Sequence, residues 1–232
     1  MDGRRDVCAA FRPFWMMIII QKYDDYNPES SEHEPRGTDM GHSRADKAQS
    51  HERILKQAAG QIRDTGLESV SVGRLMQSVG LTHGGFYGHF ASRSDLLAQA
   101  LSRALEDGAA AAKLAGDPAK PASFAAMVRS YLSRSHRDSR GTGCAIAALA
   151  SDVARADERS RAVMEAHVER FIAKVADTLG HDDDEQALLA VSAMIGGLLV
   201  SRVMTDPKRS DDVLRAVRNS LVALQGKGEG EA

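Results

Sequence analysis

The stretch that most constrains this chain is Thr82 to Phe90, which reads THGGFYGHF. Each of its three glycines costs a helix about 1 kcal/mol relative to alanine, so the segment is a poor helix on its own. Phe86 and Phe90 nevertheless stand four apart, the spacing that puts two rings on one helical face. Thr82 is a good N-cap. A helix this weak persists only when its neighbours hold it, and neighbours are present: SVGRLMQSVGL precedes it and ASRSDLLAQAL follows. With Phe86 and Phe90 inward, Tyr87 and His89 fall on the other side, and His83 lies one turn earlier. Bare backbone at Gly84, Gly85 and Gly88 lets another backbone approach closely. Such a segment suits a nucleic-acid groove and does not suit a core. The spacing therefore predicts a helix-turn-helix. Ser71 caps its first helix, with Val72, Leu75, Met76 and Val79 inward and Arg74 outward; Gly80 supplies positive φ at the break. The second helix is the one that enters the DNA major groove.

Charge supports that placement locally and not globally. The formal net charge is −2, so no general basic field exists to hold nucleic acid. Residues 1–39 carry five Lys/Arg against eight Asp/Glu, residues 40–96 seven against five, and residues 97–232 eighteen against nineteen. The single positive segment is the one holding the reader, together with four of the eight histidines. Period-two alternation is rare, and alanine and leucine are abundant, which predicts helices and no sheet. Cys8 and Cys144 form no CxxC or zinc-finger spacing, and a reducing cytoplasm is the simple reading. Nucleophile–base pairs, phosphate-binding glycine loops and metal-ligand spacings are missing from the sequence, so neither an enzyme nor a cofactor or metal is expected.

Residues 1–39 do not read as part of the fold. PFWMMIII is too short to span a bilayer, and although Arg4, Arg5 and Arg12 precede it, no signal-peptide cleavage site follows. The expectation is a disordered or non-native leader, with Met40 as the start and MGHSRADKAQS as a short basic arm; the rival is an extra helix packed on the body. A helix is predicted over Ala45–Thr65 from the stripe Ile54, Leu55, Ala58, Ala59 and Ile62, ended by Gly66. Ser92 and Asp95 outline a capping box for the helix carrying Leu96, Leu97, Ala100, Leu101 and Leu105. Ala109–Ala122 reads as a loop, and a helix over Ser123–Ser135 follows. RDSRGTG is a connection, Cys144–Ala154 a short apolar helix, and Asp157–Leu179 a long amphipathic one. HDDDE, with His181, Asp182, Asp184 and Glu185, could hold a metal, but acidic residues at a helix start are better explained by its dipole. Gln186–Met204 is apolar on nearly every side, its fourteen-residue run ALLAVSAMIGGLLV being too short for a membrane span. With Asp211–Leu224 it predicts a four-helix interface between two copies. The candidate interface residues are Leu188, Val191, Ser192, Ile195, Gly196, Leu199, Leu214, Val217 and Leu221. Residues 226–232 read as a frayed tail.

HERILKQAAGQIRDTG, SVGRLMQSVGL and FYGHFASRSDLL together give the run from Ser50 to Leu101 a resemblance to the DNA-binding domain of the TetR (tetracycline-repressor) family of bacterial regulators. The remainder resembles the family only in helix count and length. The resemblance implies an all-α fold of about nine helices: a three-helix DNA-binding domain at 40–96, then a helical effector-binding and dimerisation domain at 97–225. It implies a cytoplasmic homodimer on a palindromic double-stranded operator. It places His83 and Gly84 toward bases, Thr82, Tyr87, His89 and Arg93 toward phosphates, and Ser71 and Arg74 at the backbone. Gly85 and Gly88 stand where larger side chains are common, so part of the sequence preference is expected from DNA shape or from the arm. An effector pocket is implied between Ser123 and Leu179, with candidates Phe124, Met127, Tyr131, Cys144, Met164, His167 and Phe171. Its mostly apolar lining suits a small hydrophobic or aromatic molecule. Cys144 follows Gly143 at a helix start, where a thiolate is favoured, so a redox- or electrophile-sensing repressor is one alternative and an inert buried cysteine another. A helical interaction module that does not bind DNA is a third.

Overall fold

The computed structural model describes residues 44–114, 123–179 and 184–228. The leader 1–39, residues 40–43 of the arm, and His181 and Asp182 lie outside the described residues, whereas residues 44–50 of the arm are the start of the first helix. The described residues are α-helical with two short 3-10 helices and no strand. The α-helices are α1 (Arg44–Thr65), α2 (Val72–Ser78), α3 (Arg93–Leu114), α4 (Phe124–Tyr131), α5 (Arg134–Asp138), α6 (Ala145–Val153), α7 (Glu158–Leu179), α8 (Asp184–Val203) and α9 (Pro207–Gly228). The 3-10 helices are Leu67–Ser69, after α1, and His83–Gly88, after α2.

Two hydrophobic cores are built from these elements. In the first, Ile54, Ala58 and Ile62 of α1 meet Leu75 and Met76 of α2, both reader phenylalanines, Leu97, Leu101 and Leu105 of α3, and Ile146 and Leu149 of α6. The second joins Phe124 and Val128 of α4 to Ile172 and Val175 of α7, Val191 and Met194 of α8, and Leu214 and Leu221 of α9. Val168, Phe171 and Ile195 pack against both. α7 is thus shared: Met164 faces the first core and Val175 the second.

Three boundaries differ from the expectation, each for a local reason. α3 runs on through Ala109 to Leu114 instead of ending in a loop. Alanine is the best helix former and one buried glycine, Gly108, does not stop it. The helix expected over Ser123–Ser135 is two, because Ser133 acts as a second N-cap whose Oγ accepts the His136 N–H at 3.1 Å and starts α5. α9 begins at Pro207 and not Asp211: Asp206 accepts the Lys208 N–H at 2.9 Å, and proline is tolerated at a first helical position.

α8 is 20 residues long and, by length and composition, apolar enough to cross a membrane, so its length does not exclude a span. Its packing accounts for part of the apolarity: Ala187, Ala190, Val191, Met194 and Leu198 lie in the interior between α7 and α9. Gly197 is where α9 comes closest, since a Cβ there would meet Val217 at 3.1 Å.

Candidate nucleic-acid interface

The reader is a 3-10 helix, His83–Gly88, and not a full α-helical turn sequence. Its start is built as the residues demand. Gly80 has φ 73°, the left-handed conformation that reverses the chain after α2. Thr82 is the N-cap, and its Oγ1 accepts the Gly85 N–H at 3.3 Å. Phe86 and Phe90 are 2 % exposed, with ring centroids 5.5 Å apart and planes at 26°. They pin the segment to the first core. Tyr87, on the opposite side, is 69 % exposed. His83 and Gly84 are exposed beside it.

His89 does not point freely outward. Its ring lies 6.0 Å from that of His51 on α1, and His51 stacks on Phe90 at 4.7 Å. His89 Nδ1 is buried with no hydrogen-bond partner. Burial, then His51 and Lys47, hold this imidazole below its ordinary range.

The remaining candidates sit around this segment. Ser71 is the N-cap of α2, yet its hydroxyl makes no capping bond. Arg74 is exposed on α2. Arg93, at the first turn of α3, is turned back: it pairs with Glu68 at 3.2 Å, and its Nε donates to the Val70 carbonyl at 3.3 Å. To meet a phosphate it must leave Glu68.

Gly84 and Gly88 have open space where a Cβ would stand, and Gly85 has only ordinary contacts with Thr82 and Met76. None of the three has positive φ. Packing inside the chain therefore does not require them. Gly84→Ala and Gly88→Ala are each expected to raise stability by up to about 1 kcal/mol, read by thermal melting. Operator affinity is expected to fall in the same variants, because the added methyl stands off the groove.

The effector candidates divide between the cores. Phe124 and Met127 belong to the second, and Met164 to the first. His167 lies at the half-buried edge of α7, 3.3 Å from Arg170. Tyr131, Cys144 and Phe171 do converge: Tyr131 stacks on Phe171 at 5.6 Å, and its Oη donates to Cys144 Sγ at 3.0 Å. Around them are residues that sequence reading passed over. His136 Nδ1 donates to the Tyr131 carbonyl at 2.7 Å while Nε2 accepts the Cys144 N–H at 2.9 Å. Arg63 and Arg202 approach from α1 and α8. Arg63 was visible in one respect, as a charge on the buried stripe four residues after Ala59.

Of the interface candidates, Val191, Leu214 and Leu221 are taken into the second core of their own chain and are not free for a partner. Ile195 and Val217 are also partly packed there. Leu188 and Leu199 are exposed, and Leu189, Val200 and Val203, absent from the expectation, are exposed beside them. Ser192 lies on this outer face, and Gly196 has nothing within 4 Å of its Cβ position.

A capped, glycine-rich reader held on two buried rings behind a positioning helix defines a helix-turn-helix DNA-binding protein. Comparison with known proteins extends this to the family. Residues 54–100 match the bacterial regulatory proteins of the tetR family. An uncharacterized HTH-type transcriptional regulator of Mycobacterium tuberculosis is 30 % identical over 186 residues, covering 74 % of this chain and 94 % of the relative. Among solved structures, a TetR-family regulator from Cytophaga hutchinsonii aligns with a TM-score of 0.64 at 15 % identity, over 76 % of this chain and 95 % of its own. Another, from Agrobacterium tumefaciens, aligns with 0.61 at 20 % identity, over 75 % and 98 %. The chain belongs to the TetR family of bacterial transcriptional regulators.

Proposed function

We propose that this regulator is a cytoplasmic homodimeric repressor that leaves a palindromic operator when a small, largely apolar effector binds. Residues 40–96 read DNA and residues 97–225 bind effector and partner. The observation that carries the DNA reading is the division of the reader segment: Phe86 and Phe90 buried, Tyr87 exposed. In this reading Thr82, Tyr87, His89, Ser71, Arg74 and a released Arg93 position the reader on phosphates, while His83 and the bare backbone at Gly84 and Gly85 face base edges. The test is binding to DNA from the gene's own upstream region. Tyr87→Phe is expected to weaken all sequences alike, by about tenfold, and His83→Ala to flatten base preference with less loss of affinity. Unchanged binding in both variants removes the assignment.

The apolar outer face of α8 supports the dimer. Leu188, Leu189, Leu199, Val200 and Val203 are all at least two-fifths exposed on one helix, more than an isolated surface leucine requires. Leu199→Glu is expected to yield a folded monomer with at least about a hundredfold weaker operator binding, since each half-site is then held alone; sedimentation and fluorescence anisotropy read both effects.

Tyr131, Phe171 and Met127 support an effector site between α4 and α7. Effector release of DNA follows if the ligand favours a spacing of the two readers that the operator does not. One contact favours a second reading: Tyr131 Oη on Cys144 Sγ makes Cys144 a candidate for attack on a soft electrophile. Iodoacetamide that leaves the native protein unlabelled eliminates it.

A further inference from the structure

DNA reading leaves one buried group of charges unused, at the start of α6. Arg63, in the last turn of α1, is 8 % exposed. Its Nη1 donates to the Ala104 carbonyl at 2.7 Å and its Nη2 to the Gly143 carbonyl, while Nε has no acceptor. Arg202, in the last turn of α8, donates from Nε to the Arg137 carbonyl at 3.1 Å and from Nη2 to the His136 carbonyl at 3.2 Å. A Cβ on Gly143 would stand 3.2 Å from Arg202 Nη2. The two guanidinium groups thus flank one residue, and all four of their acceptors are neutral carbonyls.

Among the described residues, no carboxylate is hydrogen-bonded to either guanidinium. Burial lowers the Arg63 guanidinium below its ordinary value, and Cys144, Asp107 and Asp64 oppose this through space without a hydrogen bond to it. Burial pulls the Arg202 guanidinium below its ordinary value; Cys144 and Tyr131 oppose the shift, and Arg140 and Arg63 add to it. His136 is neutral in this arrangement, since one ring nitrogen donates and the other accepts. The Cys144 side chain makes no capping bond to α6, its Sγ accepting from Tyr131 instead, so the positive end of that helix faces the same place. Buried cations are normally paired, and leaving them unpaired is costly. Tyr131 and Phe171 form an aromatic wall beside them, reached through the Tyr131–Cys144 contact.

We propose that this cluster is the anion-recognising end of the effector site and that the effector is an aromatic carboxylate. Its carboxylate meets the Arg202 and Arg63 forks, a pairing whose planar geometry favours carboxylates. Its ring lies along Tyr131 and Phe171. The inference rests on the effector-responsive reading above. Because Arg63 belongs to α1, a ligand that draws it from the Gly143 carbonyl alters what ties the DNA-reading helices to α6.

The test is calorimetric titration of the full-length protein with benzoate and salicylate, beside benzamide as the uncharged isostere. Benzoate is expected to bind at least about tenfold more tightly than benzamide. Arg202→Gln is expected to erase that difference and Arg202→Lys to keep part of it, with thermal melting confirming that each variant is folded. Should the glutamine variant not fold, the lysine variant and the salt dependence of the benzoate preference in the wild type carry the test; a preference insensitive to both overturns the proposal. Equal binding of benzoate and benzamide overturns it while leaving an uncharged effector in place. No binding of any probe up to about 10 mM overturns it too. Operator binding, measured on the same preparations, fails or holds independently and tests the regulatory reading by itself.

Discussion

Phe86→Ala is expected to destabilise the protein by about 3–5 kcal/mol, the range for emptying a phenylalanine site in a core. Phe86 is 2 % exposed and stacks on Phe90 in a core that also holds Met76 and where α1, α2, α3 and α6 all meet. The loss is a large part of a typical domain's stability of about 5–15 kcal/mol. Tyr87→Ala, one residue on, is expected to leave the melting temperature nearly unchanged, because that ring is 69 % exposed. Both variants are expected to lose operator binding, for different reasons: the first removes the support of the reader, the second its contact. Chemical denaturation and fluorescence anisotropy on the same pair separate the two. A Tyr87→Ala protein that melts much earlier than wild type would place that ring inside the molecule and end the interpretation.

Gly66→Ala is expected to cost about 2–4 kcal/mol. Gly66 has φ 88° and ψ 165°, a region open to glycine almost alone. A Cβ there would also stand 2.5 Å from Asp152 Oδ2, the atom that accepts the Leu67 N–H at 3.2 Å. The alanine must both adopt the strained backbone and push Asp152 off its hydrogen bond. The two parts separate in a double-mutant cycle. With Asp152→Ala in the background, the steric part vanishes and the backbone part, about 1–3 kcal/mol, remains. Urea denaturation of the four proteins reads the difference. Gly66 serves here less as a helix terminator than as the place where the turn after α1 docks on α6.

Much of the DNA-reading half was legible because its signals are local. Thr82 caps the reader through a bond three residues long, Gly80 turns the chain by its own φ, and the Phe86–Phe90 pair needs only helical spacing. The C-terminal half was less legible. Ser133, Asp206 and the alanines after Gly108 carried boundary signals that competing glycines and prolines obscured. His89 was placed by the helix face it falls on and Arg93 by the family resemblance, and the neighbours that hold them, His51 and Glu68, come from other elements.

From residue order alone came the all-helical class, the capped reader with its ring pair, and the excess apolarity of α8, since each follows from periodicity, capping and composition within one element. Folding in three dimensions decided the rest. It divided the apolar residues of α8 and α9 between an inner core and an outer face, and it brought Arg63, His136, Cys144 and Arg202 from four separate segments to one point. Those residues lie up to 139 positions apart, and no pattern of spacing along a chain encodes a meeting of groups that distant.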